Sequence, residues 1–277
     1  MLMRSIVMAA IVGGSALAAA PAAADKLSEV LARGKLILGT GSTNPPWHFV
    51  DENGVLTGFD VDMGRIIAKG LFDDPDAIEI VVQASDARIP NTITDKVDIT
   101  CQFMTVTAQR AQLVNFTQPY YREGVGLLMT SGGDYADYDA LKAAGADVTV
   151  SVLQNVYAED MVHAALPAAT VDQYDSVDLM YQALTSGRAD AAATDMSSLK
   201  WFMQQNPGKY VDAGYGWNPQ TYSCAVKKGD PDWLAFVNTA LREATSGVEF
   251  AFYRDSFEKW FGDTPPPPQV GFPAELR

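Results

Sequence analysis

The feature that most constrains the fold of this chain is a regular alternation of short apolar segments with segments of helical periodicity. Residues 35–40 and 78–83 are short runs of apolar and β-branched side chains, which are typical of buried strands. Residues 60–71 carry apolar side chains at helical spacing, and residues 97–103 form a third strand-like run. Strands that alternate with helices pair in parallel, and helices cover both faces of the sheet. The first half of the chain therefore predicts an α/β fold.

The same pattern begins again in the second half of the chain. Strand-like and helix-like segments alternate at residues 148–152, 158–166, 169–171, 176–185, 189–193 and 196–205. Two such runs, each of about 100 residues, predict two lobes of ordinary domain size. A last strand at 221–226 and two amphipathic helices at 233–244 and 248–261 follow, and we expect them to return to the first lobe.

The first 24 residues have the anatomy of a cleaved secretory signal. Arg4 is followed by an apolar run at residues 6–17, and small residues lead to Asp25. The apolar run is shorter than the roughly 20 residues that a membrane-spanning helix needs. We therefore expect residues 1–24 to be removed and the mature chain to reach the periplasm. An N-terminal membrane anchor is the alternative.

Charge and cysteine content narrow the function. The formal net charge of −14 argues against nucleic acid or an anionic lipid surface as a partner. Cys101 and Cys224 are the only cysteines, and an even count in an exported chain favours one disulfide over two buried thiols. His48 and His163 lack metal-ligand spacing to other ligating residues, and no phosphate-binding or dinucleotide motif occurs. We expect no metal and no cofactor.

Arg110 is a candidate for binding an anion. Thr107 can cap a helix whose free N–H groups and positive dipole end suit a carboxylate. Arg110 lies three residues later, and its planar guanidinium can donate two parallel hydrogen bonds to a carboxylate. A solvated surface arginine is the alternative.

Asp195 is a candidate for binding an ammonium. It follows the predicted strand at residues 189–193, and ligands of open parallel sheets lie beyond the carboxyl ends of the strands. A carboxylate at this position can accept hydrogen bonds from an ammonium. The alternative is that Asp195 caps the helix that begins at Met196.

Several motifs together give the chain a family resemblance. They are the segment 58–71 that begins Gly-Phe-Asp-Val-Asp-Met, Arg-Ile-Pro at 88–90, Val97-Asp98, Thr107-x-x-Arg110, Phe116-Thr117-x-Pro119-Tyr120-Tyr121, and Gly187-Arg188-Ala189-Asp190-Ala191 with Asp195. In this order and spacing, the mature chain resembles the periplasmic polar amino-acid-binding proteins of ABC importers, the extracellular solute-binding proteins of family 3. The resemblance implies a two-lobed, type II periplasmic binding protein fold, with two mixed, mostly parallel sheets joined by two hinge crossings.

The resemblance also implies domain bounds. Residues 25–119 and 224–277 form lobe 1, and residues 125–219 form lobe 2. Residues 120–124 and 220–223 are the hinge, about which the lobes close on a ligand.

Roles for individual residues follow from the same resemblance. Arg110 binds the α-carboxylate of the ligand, with help from Thr105 and the backbone near Thr107, and Asp195 binds the α-ammonium. Within the family, the chain is most similar to glutamate/aspartate binders. In these proteins the arginine at the position of Arg88 meets the side-chain carboxylate of the ligand.

The glutamate/aspartate binders share further features with this chain. They have cysteines at positions like Cys101 and Cys224, and a Trp-Phe pair followed by two prolines near the C-terminus, as in residues 260–266 here. The resemblance thus adds to the expectation of a disulfide and extends over most of the mature chain.

Departures from the family pattern affect the specificity. Residues 151–155 replace the usual Ser-Gly-Thr-Thr segment, so that Asn155 offers an amide in place of a hydroxyl. Phe103 stands where a small residue is usual, and Gly41 stands where acidic-amino-acid binders can offer a second arginine. Trp47 adds an aromatic wall near the pocket entrance, and simple packing beside two prolines is the alternative.

Together these features predict a monomeric, non-enzymatic binding protein. It captures a polar L-amino acid, acidic or amide, and passes it to the membrane permease and ATPase of an ABC importer. An enzyme on the same fold, a periplasmic cyclohexadienyl (prephenate or arogenate) dehydratase, is the alternative and needs a general acid in the cleft. Glu159 and Asp160 follow Asn155, but both are typical of a solvated helix face. A ligand-sensing module of a receptor is a third possibility.

Overall fold

A computed structural model of the chain describes residues 25–154 and 158–271. The predicted signal at residues 1–24 and the candidate ligand residue Asn155 lie outside the described residues. None of the described helices combines the length and the hydropathy that a bilayer span requires.

The strands and helices follow each other along the chain in the predicted α/β order. The strands are β1 (Leu36–Thr40), β2 (Thr43–Asn44), β3 (His48–Val50), β4 (Leu56–Thr57), β5 (Ile78–Val82), β6 (Ile99–Thr105), β7 (Asn115–Phe116), β8 (Tyr121–Thr130), β9 (Thr149–Leu153), β10 (Thr170–Tyr174), β11 (Ala191–Asp195), β12 (Tyr210–Asp212) and β13 (Trp217–Val226). The helices are α1 (Lys26–Arg33), α2 (Phe59–Phe72), α3 (Arg88–Ile93), α4 (Ala108–Ala111), α5 (Tyr138–Ala144), α6 (Ala158–Ala165), α7 (Val177–Thr185), α8 (Met196–Gln205), α9 (Pro231–Ser246) and α10 (Phe250–Phe261).

One mixed sheet runs through the molecule in the order β10-β9-β11-β8-β13-β6-β1-β5, and β12 and β7 pair with β8 and β13. At one end β1 pairs in parallel with β5 and β6, and at the other β9 pairs in parallel with β10 and β11. The long strands β8 and β13 lie between these parallel groups and pair antiparallel with each other and with both groups. The two parallel groups of strands are therefore joined by the two crossing strands β8 and β13, as the two-lobed fold requires.

Each end of the sheet has its own hydrophobic core. At the β1 end, Leu38, Ile67, Ile99 and Trp233 are fully buried in one cluster. Each such aliphatic side chain contributes about 1.5–3 kcal/mol through its burial. The cluster contains side chains of α9 and α10, which confirms that the chain returns to its first half after β13.

The other end is covered on both faces. Leu127 and Leu128 are neighbours in β8, and because side chains alternate along a strand they enter different cores. Leu127 packs with Val162 of α6, and Leu128 packs with Leu184 of α7. Helices thus lie on both faces of this end, as the alternating pattern predicts.

Capping side chains fix where several helices begin. Asp230 accepts the N–H of Trp233 at 2.8 Å, and Pro231 occupies the first turn of α9, where its missing N–H costs nothing. Ser176 caps α7 in the same way through the N–H of Leu179. Thr107 caps α4, as predicted, and this short helix ends at Ala111.

Candidate functional site

Asp195 is the last residue of β11 and precedes the first turn of α8. Its side chain makes no capping hydrogen bond to α8, so the capping alternative is wrong. Instead, Asp195 Oδ2 accepts a hydrogen bond of 3.0 Å from the hydroxyl of Tyr222. Desolvation by the surrounding protein raises the pKa of Asp195 to about 6.

Glu123 lies next to Asp195 and is a site residue that the sequence did not reveal. It belongs to β8, and only 3% of its surface is exposed. Its carboxyl accepts hydrogen bonds from the N–H of Gly124 at 2.9 Å and from the hydroxyl of Ser197. Burial, and then the charge of Asp195, raise the pKa of Glu123 to about 8. The signal that could have found it is an acidic residue just before the apolar run at residues 125–129.

Arg110 supplies a cation beyond the end of β6. It is half-buried, and its Nη1 donates a hydrogen bond of 2.8 Å to the carbonyl of Thr105. The hydroxyl of Thr107 is exposed and accepts the N–H of Arg110 at 3.2 Å. Helix α4 has only four residues and therefore a small dipole. The guanidinium of Arg110, and not the end of the helix, is therefore the group here that suits an anion.

The sheet register brings Arg110 and Asp195 to the same region. Tyr222 of β13 is the pairing partner of Thr105 in β6 and of Tyr121 in β8. Thr105 holds the guanidinium of Arg110 through its carbonyl, and Tyr222 holds the carboxylate of Asp195 through its hydroxyl. One pair of adjacent strands thus connects a cationic group to an anionic one.

Arg88 is a second cation in this region. Its Nε donates to the carbonyl of Ser85 at 2.7 Å and its Nη1 donates to the carbonyl of Gln102 at 3.0 Å. The guanidinium lies over the ring of Phe103, 5.6 Å from the centroid. Burial, and then the charge of Arg110, lower the pKa of Arg88 to about 10, so that Arg88 remains charged at neutral pH.

The indole of Trp47 lies in the core and not at an entrance, because its side chain is only 1% exposed. The expectation of an aromatic wall at the entrance is therefore corrected, and the packing alternative describes its position. The ring contacts Tyr121 at 4.8 Å and Phe261 at 5.3 Å between centroids. Its Nε1 donates a hydrogen bond of 3.0 Å to the hydroxyl of Ser197.

A buried triad lies beside these aromatic rings. Asp60 accepts a hydrogen bond from the hydroxyl of Tyr120 at 2.6 Å and contacts His48 Nδ1 at 2.8 Å. Asp60, which lies in the first turn of α2, is therefore a buried hydrogen-bond acceptor. A Cβ atom at Gly41 would approach the ring of His48 to 2.5 Å, so a larger residue there would displace the histidine.

The predicted disulfide is present between Cys101 and Cys224. It joins β6 to β13, the strands that carry Thr105 and Tyr222. Both cysteines are fully buried in the first core, so the bond fixes the relative position of these two strands from within.

Two cavities border the sheet. One of about 300 Å³ is lined by Thr105, Val106, Arg122 and residues 218–221, and it therefore touches the predicted site. The other, of about 330 Å³, lies among charged residues that pair with each other, such as Lys227 with Asp95. Of these two cavities, only the first shares a residue, Thr105, with the predicted site, and Arg110, Asp195 and Glu123 do not line it.

Comparison with known proteins identifies the family of the chain. The model of the bacterial extracellular solute-binding proteins, family 3, matches residues 36–263. L-cystine-binding protein TcyJ of Escherichia coli K12 is 26% identical over 85% of this chain and 86% of its own. The ABC transporter glutamine-binding protein GlnH of Bacillus subtilis is 25% identical, covering 87% and 86% of the two chains. The glutamate/aspartate import solute-binding protein of E. coli K12 is 25% identical, covering 93% and 86%.

Solved structures lead to the same group. An ancestral cationic amino acid solute-binding protein, AncCDT-1, superposes with a TM-score of 0.74 at 30% identity, over 85% of this chain and 99% of its own. Another structure of AncCDT-1, described as a precursor of cyclohexadienyl dehydratase, has a TM-score of 0.68 at 31% identity, covering 86% and 100%. The fold is the two-lobed type II periplasmic binding protein fold. The chain therefore belongs to the bacterial extracellular solute-binding proteins of family 3.

Proposed function

We propose that the protein binds a polar L-amino acid in the periplasm and delivers it to the permease and ATPase of an ABC importer. The observation that carries the proposal is the cation–carboxylate arrangement, in which Arg110 and Asp195 are held by the paired residues Thr105 and Tyr222. A cation and an anion at opposite ends of one site match the two charges of a zwitterion. The names of several relatives, which bind cystine, glutamine or glutamate, support the class of ligand.

The site closes, in this proposal, by rotation of two lobes about the crossing strands. Lobe 1 consists of residues 25–119 and 224–277, lobe 2 of residues 125–219, and the hinge of residues 120–124 and 220–223. Support for these bounds comes from β8 and β13, which lie between the two parallel groups of strands. Arg110 and Asp195 then belong to different lobes, so that a ligand which bridges them favours the closed state.

We propose that the ligand has an acidic or amide side chain, and this part of the proposal depends on Arg88. Its guanidinium lies close enough to Arg110 for the two charges to interact, which favours a second acceptor group on the ligand. The guanidinium N–H groups of Arg88 that do not donate to the carbonyls of Ser85 and Gln102 suit a carboxylate or an amide oxygen of the ligand side chain. His48 occupies the space beside Gly41, so the ligand side chain meets one arginine and not two.

Calorimetric titration of the mature protein with L-glutamate, L-glutamine, L-arginine and L-cystine tests the function. We expect at least one of them to bind with a Kd of about 10 μM or tighter, and its analogue without the α-amino group to bind at least about 100-fold more weakly, because a buried carboxylate would lose its partner. A folded protein that binds neither L-cystine nor any of the proteinogenic amino acids would contradict the proposal.

The affinity is expected to fall in acid. Asp195 must lose its proton to accept an ammonium, and its pKa is about 6, so Kd should rise toward tenfold per pH unit below pH 6 and level off above it. The groups that face Asp195 are Glu123, Tyr222, Tyr121 and Tyr181. The three phenols have raised pKa values and stay neutral in this range, and Glu123, with a pKa of about 8, stays mostly protonated up to pH 7.5. Calorimetry between pH 5 and 8 measures the effect. An Asp195→Asn variant should bind weakly with little pH dependence, and equal wild-type affinity at pH 5 and 7.5 would contradict the assignment.

A dehydratase of the cyclohexadienyl type is a second candidate, and Glu123 is the observation that favours it. With a pKa of about 8 this carboxyl is protonated at neutral pH, as a general acid must be. The likeness to AncCDT-1, described as a precursor of such an enzyme, points the same way. Incubation with prephenate, followed by detection of phenylpyruvate, separates the two. Binding of an amino acid without turnover of prephenate would exclude the enzyme.

A further inference from the structure

Helix α8 begins in an unusual way. Asp195 occupies the N-cap position, where an aspartate normally accepts an N–H of the first turn, yet its side chain makes no such bond. The N–H of Ser197 in this first turn instead donates a long hydrogen bond of 3.4 Å to Glu123 Oε1. The acceptor therefore comes from β8, at a distance of 74 residues along the chain.

Two glycines allow α8 to lie this close to β8. A Cβ atom at Gly124 would be 3.4 Å from the sulfur of Met196, and one at Gly126 would be 3.1 Å from a methyl group of Leu199. A larger residue at Gly126 would require Leu199 of α8 to shift by a few tenths of an ångström, whereas the tighter contact at Gly124 is with the carbonyl oxygen of Trp217 at 3.2 Å. The sequence Glu-Gly-Val-Gly at residues 123–126 thus provides both the acceptor and the space for the helix to reach it.

The second oxygen of Glu123 is also engaged. Ser197 Oγ donates to Glu123 Oε2 and accepts the indole N–H of Trp47 at 3.0 Å. Glu123 is thereby held on Ser197 by a backbone and a side-chain contact at once. Asp195 is left to accept the hydroxyl of Tyr222, on the side where the proposed ligand binds.

We propose that Glu123 takes the place of Asp195 as the cap of helix α8 and so keeps the Asp195 carboxylate available for the ammonium of the ligand. Glu123 is a positioning residue in this proposal, since it acts on Asp195 through the backbone N–H of Ser197. The inference rests on the proposed function, because it assumes that Asp195 binds an ammonium. Without Glu123, the N–H of Ser197 loses its acceptor, and the adjacent Asp195 carboxylate leaves the hydroxyl of Tyr222 and accepts this N–H instead.

Replacement of Glu123 tests the proposal. The side chain in Glu123→Met has a similar length but no hydrogen-bond acceptor. The binding partner is the tightest-binding member of the panel of L-glutamate, L-glutamine, L-arginine and L-cystine. We expect its affinity to fall by about tenfold, because the ligand then competes with the helix for Asp195. Glu123→Gln keeps an acceptor oxygen and should stay within about threefold of wild type. Glu123→Ala is the second variant if the methionine variant does not fold, and thermal unfolding checks the fold of each.

Ser197→Ala is the matched control. It removes the hydroxyl that links Glu123 to Trp47 but leaves the N–H that Glu123 caps, so affinity should stay within about threefold of wild type. An equal loss in Ser197→Ala and Glu123→Met would overturn the proposal, because the hydroxyl contact and not the cap would then matter. Wild-type affinity in Glu123→Met would overturn it as well.

A crystal structure of Glu123→Met separates this inference from the proposed function. We expect the Asp195 carboxylate to have turned away from Tyr222 and to accept the N–H of Ser197 or Ser198, and this can be seen whether or not an amino acid binds. Asp195 still on the hydroxyl of Tyr222 in this variant would overturn the inference alone. Failure of the wild-type protein to bind any amino acid would instead overturn the proposed function.

Discussion

Arg110→Ala is expected to weaken the binding of the cognate amino acid by about 100- to 1000-fold, equivalent to about 3–4 kcal/mol. The variant leaves the α-carboxylate of the ligand desolvated and without its cation, which costs more than the loss of an exposed ion pair. In the unliganded protein, Arg110 is half-buried and makes one 2.8 Å bond to the carbonyl of Thr105, so the free energy of unfolding should fall by only about 1 kcal/mol. Calorimetry and thermal unfolding of the unliganded variant measure the two effects separately.

Two further variants show whether the geometry of Arg110 matters and not its charge alone. Arg110→Lys keeps the charge without the planar fork, and we expect an intermediate loss. Arg88→Ala removes the neighbouring cation, and it should weaken the binding of an acidic amino acid more than the binding of the corresponding amide. An Arg110→Ala protein that binds within about threefold of wild type would show that the α-carboxylate is bound elsewhere.

Removal of the disulfide is expected to have the largest effect on stability. The bond closes a loop with a sequence separation of 123, and the loss of such a cross-link lowers the free energy of unfolding by about 4–5 kcal/mol in the chain-entropy model. For a chain of this size the corresponding fall in Tm is about 10 °C. The double variant Cys101→Ala, Cys224→Ala is the appropriate comparison, because a single replacement would leave an unpaired thiol.

Chemical denaturation of the oxidised wild type and the double variant gives the difference in unfolding free energy. The cognate amino acid should restore part of the lost stability, since a ligand that binds only the folded state stabilises it by mass action. A difference below about 1 kcal/mol would show that the strands β6 and β13 are fixed by packing alone, without a measurable contribution from the bond.

Much of the fold follows from periodicity. Helix α8 occupies the predicted residues 196–205, and α2 exceeds its prediction by one residue at each end. Both helices carry a regular apolar face, which a sequence displays directly. The strand β8 was not predicted in full, because its crossing from one half of the sheet to the other mixes apolar residues with Arg122 and Glu123. The short strand β12 and helix α5 lack a periodic signal of sufficient length.

The site was predictable where chemistry is local and unpredictable where it depends on tertiary contacts. Arg110 and Asp195 stand near the ends of predicted elements, and their hydrogen-bond partners Thr105 and Tyr222 pair on the adjacent strands β6 and β13. Glu123 acquires its importance from Ser197, which is 74 residues away, and no spacing in the sequence expresses that contact. Trp47 beside two prolines was open to either interpretation, and only its burial distinguishes packing from an exposed wall.

The central position of β8 and β13 has a consequence for how this protein can change during evolution. Glu123 and Tyr222 belong to the two strands that both halves of the sheet share, and both hold groups of the proposed ligand site. In the proposed hinge, a substitution there would alter the affinity for the ligand and the bending of the crossing strands together. We therefore expect affinity and the rate of ligand release to change together at these positions, whereas Arg88, which lies outside the shared strands, can diversify without that coupling.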